Sequence, residues 1–532
     1  MSETAAERHR APWRSDDPLL GWVGAIMVAS LAFFLRRWHL GLPHQFSFDE
    51  TYYAKDAWSL LHHGYVRSYV EEADKTILNG NPMDLWQDAP SMVVHPEVGK
   101  WVIGLGIKAF GMDPYGWRIA SAVVGALMVL LMCRFVRRVT GSTVLGLVGG
   151  LLMTFDGLHL VLSRLALLDI FLAFFILCGA HCVVADRQWL RDRLAAGRET
   201  TRWSAWWRPW LLAGGVSFGL AVGTKWSGLY ALAAFGLLTW AWSAGARRAF
   251  GQRRPWLRSI FLDAVPAFAS LVLVAFSVYV LSWTGWLMNA ATYEQAFSNT
   301  QYTTHDGGKP WPTASEPDAE GLGEVPQSLR SLVSYHRDVF TFHSDFLDDS
   351  THVYASSPAS WLVMGRPVGV DAQLDIQPGS QGCEAPAGST CLRQVILLGN
   401  PLVWWGGCLA LAFSVLMWVG ARDWRHGLAV VGVAATWLPW FLYDDRPIFV
   451  FYAITSLPFV LLSIVLAMGH LVGTAPARHR AWPTLRRTTG VVAAGSYFVM
   501  VLVAFAWFWP VWTDQLITHA EWLDRIWFTR WI

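Results

Sequence analysis

Long apolar runs broken by short polar segments dominate the chain. A helix needs about 20 mainly apolar residues to cross the roughly 30 Å hydrocarbon core of a bilayer. Eleven segments are read as crossings: residues 19–36, 115–133, 141–158, 166–185, 209–226, 228–244, 260–283, 395–420, 427–443, 448–472 and 489–511. The stretch VGKWVIGLGIKAFG (98–111) is also apolar, but it is short and carries Lys100 and Lys108. It is expected to lie in the membrane interface.

An odd number of crossings puts the termini on opposite sides. The segments RFVRR (134–138), DRQWLRDRLAAGRETTRWSAWWR (186–208), ARRAFGQRRPWLR (246–258), ARDWRH (421–426) and ARHRAWPTLRR (477–487) are Arg-rich and all fall on one side. The positive-inside rule makes that side cytoplasmic. Arg36 and Arg37, at the outer end of the first span, are the exception. The expected layout is a cytoplasmic tail (1–18), seven helices (19–283) enclosing an extracytoplasmic loop (37–114), a second large external loop (284–394), four helices (395–511) and an external tail (512–532). Residues 1–18 are polar and no A-x-A-like site follows the first apolar run, so that run is expected to be retained.

Composition supports an all-α polytopic membrane protein in the cell membrane: 54% hydrophobic, 15% charged, mean hydropathy +0.33. The 33 Trp and 14 Tyr suit many membrane–water interfaces. A net charge of +2 argues against a nucleic-acid partner. Four of the six cysteines lie in or beside apolar segments, whereas Cys383 and Cys391 bracket CEAPAGSTC and are the pair that looks like a disulfide. Such a bond would place that loop in an oxidising compartment.

Candidate chemistry gathers in the first loop, at QFSFDETYYAKDAWSLLHHG (45–64). Ser47 and Glu50 fit a capping box, which accounts for Glu50. Asp49 is left over, sharing a helix face with Tyr52, Tyr53 and Asp56. At a helix tip near the headgroups it suits a general base. Arg164 and Asp169 in LSRLALLDIFLAFF fit either a structural ion pair or substrate contacts. Lys225 in GTKWSGLY fits snorkelling or anion binding, and Arg446 in YDDRPIFVFY opens a helix on the same outer face. His95 and Lys100 in HPEVGK add two polar groups there. The carboxylates are scattered, so a metal site is not expected.

Taken together, FDETYYAKDAWSLL, HPEVGKW, SRLALLDIFLAFF, GTKWSGLY and RPIFVFYAITSLPF resemble the bacterial, actinobacterial-type branch of the protein O-mannosyltransferases, glycosyltransferases of family GT39 with a GT-C fold. The likeness extends over nearly the whole chain. It implies a polyprenyl-phosphate-mannose donor, a Ser or Thr acceptor on a secreted polypeptide, and reaction outside the cytoplasm. It assigns Asp49 and Glu50 jointly, with Asp49 as base. Arg164, Lys225 and Arg446 would hold the donor phosphate or shape the site, with His95, Lys100, Asp169 and Tyr53 beside them. No cofactor is implied beyond the lipid-linked donor, and the secretion translocon is a partner to consider. Unlike eukaryotic members, the large loop carries no inserted β-trefoil domain, which leaves acceptor selection open.

The expected chemistry is an inverting displacement. Asp49 takes the acceptor proton and cations stabilise the departing lipid phosphate. One rival within the enzyme class moves a different lipid-linked sugar to a lipid or glycan. Another rival is a transporter of a lipid-linked precursor, which commonly shows internal repeats and discontinuous helices near the midplane. The polar candidates here sit at helix ends.

Overall fold

Among the described residues, seven helices are long and apolar enough to cross a membrane: Leu19–Arg37, Pro114–Thr140, Asp169–Ala195, Gly228–Ala249, Pro255–Ser282, Pro401–Ala421 and Leu485–Trp512. Three more are apolar but shorter, Thr143–Thr154, Pro209–Val222 and Leu457–Val472. The remaining expected segment holds the helix Trp424–Trp437, prolonged by a 3-10 turn at Leu438–Leu442. The eleven segments therefore all contain helix, but they are not all of full crossing length. The computed structural model describes residues 18–197, 204–299, 310–347, 350–473 and 484–532. The expected tail before residue 18, part of the basic segment 186–208 and most of 477–487 lie outside these residues.

The Pro114–Thr140 helix shows how sequence sets its bounds. The Asp113 carboxylate accepts the Gly116 N–H at 2.7 Å, Pro114 takes the first position, and Gly141 ends the helix with φ 73°. RFVRR is thus not a loop, because its arginines occupy the last turns of this helix. The next helix, Thr143–Thr154, packs back tightly through small residues. A Cβ on Gly150 would lie 2.1 Å from Cys133 Sγ, so only glycine permits this approach. At its far end Asp156 accepts from the Asn400 N–H at 3.0 Å and the Trp404 indole at 2.9 Å. The start of the Pro401–Ala421 helix is thereby fixed on the same face of the bundle.

That face carries the two large loops. The Val98–Phe110 helix has 13 residues, about 20 Å of length, too short to cross. It packs on the Glu50–His63 helix while leaving Leu105 and Phe110 exposed. The loops also contain strands that an all-helical expectation leaves out. Arg67–Tyr69 pairs with Trp86–Pro90, and Val368–Ile376 pairs antiparallel with Cys391–Leu397, which pairs in turn with Ile517–Thr518. The expected span 395–420 therefore begins too early: its first residues are strand, and the helix starts at Pro401 behind an Asn400 cap. Cys383 and Cys391 are disulfide-bonded at this hairpin.

The Arg36 exception to the charge rule also has a structural cause. Its side chain is fully buried, donating to Ala32 O at 3.0 Å and meeting His159 Nδ1 at 2.7 Å. An internally bonded arginine is not a surface charge, so it does not vote on orientation.

Candidate active site

The chain reaches the site through an unusual turn. Phe48 has φ +53°, a left-handed conformation that costs a bulky residue on the order of 1–3 kcal/mol. It is held by edge-to-face contacts with Phe449 and Phe451 at 5.7 and 5.9 Å. Asp371, on the large-loop strand, accepts from Gln45 and from the Ser47 hydroxyl at 3.3 Å, bracing the same turn. Only half of the expected capping box forms: Glu50 Oε2 accepts the Ser47 N–H at 2.9 Å, whereas the Glu50 N–H donates to the Ser47 carbonyl at 3.2 Å rather than to its hydroxyl.

Glu50 is otherwise consumed by structure. Arg118 donates to both of its oxygens at 2.8 and 2.7 Å, and the Ala166 N–H donates at 2.9 Å. Neither Glu50 nor Arg118 is exposed. Asp49 differs. It makes no capping hydrogen bond to the helix that follows, and among the described residues its side chain accepts only the Tyr53 hydroxyl, at 3.3 Å. Burial pushes its carboxyl up to about 6, opposed by the nearby Lys225 ammonium and reinforced by Asp169. It remains largely ionised at neutral pH, yet it is a stronger base than an ordinary carboxylate.

The cations around it are unequal. Lys225 bonds both Asp169 oxygens, at 3.0 and 2.9 Å, and lies 4.9 Å over the Tyr452 ring. It does not snorkel, and Asp169 pairs with it rather than with Arg164. Arg446 meets His343 Nδ1 at 3.0 Å through Nη1, while its Nε is buried without a partner among the described residues. His343 Nε2 donates to Val94 O at 3.2 Å, which leaves Nδ1 as the acceptor. Burial and Arg446 hold the His343 imidazole down at about 4, so it is neutral. His95 stacks on it at 5.5 Å and faces Tyr53 at 6.3 Å.

Two sequence candidates stand apart from this group. Arg164 donates to the backbone carbonyls of Arg36 at 2.9 Å, of Trp38, and of His39 at 3.3 Å, so it clamps the turn after the first helix. Lys100 pairs with Asp56 at 2.9 Å, pinning two short helices together. Conversely, His343 and Tyr452 belong to the cluster and were not among the sequence candidates. Tyr452 lay in plain sight in RPIFVFY, but nothing local marked His343, which is brought in by the large loop. Glu97, in the HPEVGK stretch, is fully buried and pushed up to about 7 by burial. Among the described residues no cluster of three His, Cys, Asp or Glu is arranged as a metal site.

The assembled site is a half-buried carboxylate of raised basicity near a neutralised cation, Lys225, with the incompletely satisfied Arg446 joined to the group through His343 and His95. It can accept a proton from a hydroxyl and hold an anion close by.

Residues 26–291 match the family described as Dolichyl-phosphate-mannose-protein mannosyltransferase, and residues 328–531 match the C-terminal four TMM region of protein-O-mannosyltransferase. A polyprenol-phosphate-mannose–protein mannosyltransferase of Mycobacterium tuberculosis is 34% identical, with 97% of this chain and 92% of the relative covered. Its Corynebacterium glutamicum counterpart is 32% identical over 91% of this chain and 88% of the relative. Among solved structures, the S. cerevisiae protein O-mannosyltransferase Pmt1-Pmt2 complex bound to the sugar donor superposes with TM-score 0.69 and 14% identity, covering 100% of this chain and 95% of that one. The fold is thus the GT-C type, and over nearly its whole length the chain belongs to the dolichyl-phosphate-mannose–protein mannosyltransferase family.

Proposed function

We propose that this protein transfers mannose from polyprenyl-phosphate-mannose to Ser or Thr hydroxyls of polypeptides, at the outer face of the cytoplasmic membrane. The observation that carries this reading is Asp49: within a mannosyltransferase chain, it is a carboxylate made more basic by burial, left out of the helix cap, and set near Lys225, with Arg446 joined to the same cluster through His343 and His95. The acceptor O–H gives its proton to Asp49 as the oxygen attacks the anomeric carbon. The bond from that carbon to the phosphate oxygen breaks, and the electron pair leaves with the lipid phosphate. Attack opposite the leaving group inverts the anomeric configuration. Arg446, whose Nε is unpartnered among the described residues, is the donor available to the departing phosphate. Glu50 acts as a positioning residue through Arg118, and no cofactor beyond the donor enters the scheme.

The external placement is supported by the Arg-rich opposite face and by the Cys383–Cys391 bond, which an oxidising compartment sustains. The secretion translocon would deliver acceptors there while still unfolded. The test is a membrane assay with defined lipid-phosphate sugars and a Ser/Thr-rich peptide. Mannosyl peptide formed from polyprenyl-phosphate-mannose, and lost in Asp49→Asn, is the expected result. Transfer to a lipid or glycan with no peptide product would overturn it.

A further inference from the structure

At the end of the bundle away from Asp49, a cavity of about 740 Å³ opens among the helices Pro18–Arg37, Pro114–Thr140, Asp169–Ala195 and Pro209–Val222. Its volume falls in the range of about 300–1,000 Å³ common for small-molecule sites. Arg118, which holds Glu50, and Arg134, which lines this cavity, are sixteen residues apart on one helix, about 24 Å along its axis.

The walls are of two kinds. Leu127, Leu130 and Arg134 are spaced by three and four residues, so they share one helix face, with the leucines one and two turns deeper into the apolar layer. At the mouth the Arg134 guanidinium lies 3.9 Å from the Trp22 ring, and its Nη1 is buried with no hydrogen-bond partner among the described residues. Arg138 is held by neutral groups: its Nε–H donates to His181 at 3.1 Å, its Nη1 donates to Gln188 at 2.9 Å, and its guanidinium lies 5.3 Å from the Trp210 ring. Among the described residues no carboxylate lines the cavity.

Attraction of cations to a helix C-terminus explains arginines in the last turn, but not an unsatisfied donor one turn further in. A fixed, partly desolvated positive charge is stabilised most by an anion that also hydrogen-bonds. Tryptophans mark the headgroup level, and basic pockets between membrane helices suit lipid phosphates. The apolar wall selects an amphiphile over a free anion.

We infer that this cavity binds an anionic glycerophospholipid from the leaflet opposite the catalytic carboxylate. Its phosphodiester meets Arg134 and Arg138, and an acyl chain runs along Leu127 and Leu130.

The test uses the full chain, purified and exchanged into micelles containing equal phosphatidylglycerol and phosphatidylcholine, with retained lipid read by native mass spectrometry. The wild type is expected to retain phosphatidylglycerol about tenfold over phosphatidylcholine, a difference of about 1.4 kcal/mol. Arg134→Gln/Arg138→Gln should bring the two to parity while keeping mannosyl transfer measurable. Leu130→Trp, which keeps both charges and fills the apolar half, should also lose the preference. It serves as the second reading should the arginine variant fail to fold. Equal retention of both lipids by the wild type would overturn the proposal, as would undiminished preference in either folded variant. Displacement of the lipid by millimolar inorganic phosphate, or preferential retention of polyprenyl phosphate, would overturn it in favour of those anions.

Discussion

The Glu50 carboxylate and the Arg118 guanidinium meet in a two-point contact, Nε to Oε1 at 2.8 Å and Nη2 to Oε2 at 2.7 Å, with both side chains sealed from solvent. One residue earlier, Asp49 has a single side-chain hydrogen bond among the described residues, from Tyr53. Two adjacent acids of the same charge thus occupy opposite roles, one locking the loop to the bundle and the other available for proton transfer.

Removing the base should stop the chemistry without unfolding the protein. Asp49→Asn keeps the side-chain shape and still accepts from Tyr53, so the fold should be retained. Transfer should fall by about 10²–10⁴-fold, the usual worth of a general base. Initial rates in membranes, alongside a thermal unfolding midpoint, check this. A rate within a few-fold of wild type would remove Asp49 from the base role.

For Glu50 the expectation is reversed. Glu50→Ala strands Arg118 as an unpaired buried charge, which costs about 3–5 kcal/mol. The variant should show a lowered unfolding midpoint and a poor yield of folded protein. A Glu50 variant as stable as wild type but inactive would instead place this carboxylate in the reaction.

Activity should depend on pH through Asp49. In the proposed reaction its ionised form is the base, and burial raises its pKa to about 6, so the proton is taken up as pH falls through that value. Log kcat/KM should be flat above about pH 7 and fall with unit slope below about 6. An inflection near 4, the ordinary aspartate range, would show that burial does not govern the working site.

The two cations should separate kinetically. Arg446→Ala removes the cation with an unused Nε and should raise the KM for the lipid-linked donor, with less effect on the acceptor. Lys225→Ala leaves Asp169 unpaired beside Asp49 and should damage stability as well as rate. Adding Asp169→Asn to it should recover part of the stability, with a coupling of about 0.5–3 kcal/mol in a double-mutant cycle. Strictly additive losses would mean that the pair is not a unit.

Hydropathy alone located the helical segments, because apolar length is a local property imposed by the bilayer. It could not set their ends. Arg134 to Arg138 read as a loop, yet they finish a helix that Gly141 terminates; residues 395–397 read as membrane span, yet they end the strand Cys391–Leu397, which pairs with Val368–Ile376 and with Ile517–Thr518. Local charge and motif also brought forward Asp49, Tyr53, His95, Asp169, Lys225 and Arg446, which the fold gathers on one face. What they do to one another was not legible. Whether Lys225 is free or neutralised depends on a carboxylate 56 positions away, and His343 reaches Arg446 across 103. FSFDE by itself determined a helix start with two acids. Tertiary structure decided which acid is spent: Arg118 and the Ala166 N–H close around Glu50, and the left-handed turn at Phe48 leads into an Asp49 that no cap consumes. Burial acts on a carboxylate only through neighbours brought from elsewhere in the chain, so its basicity could not be read from its own stretch of sequence.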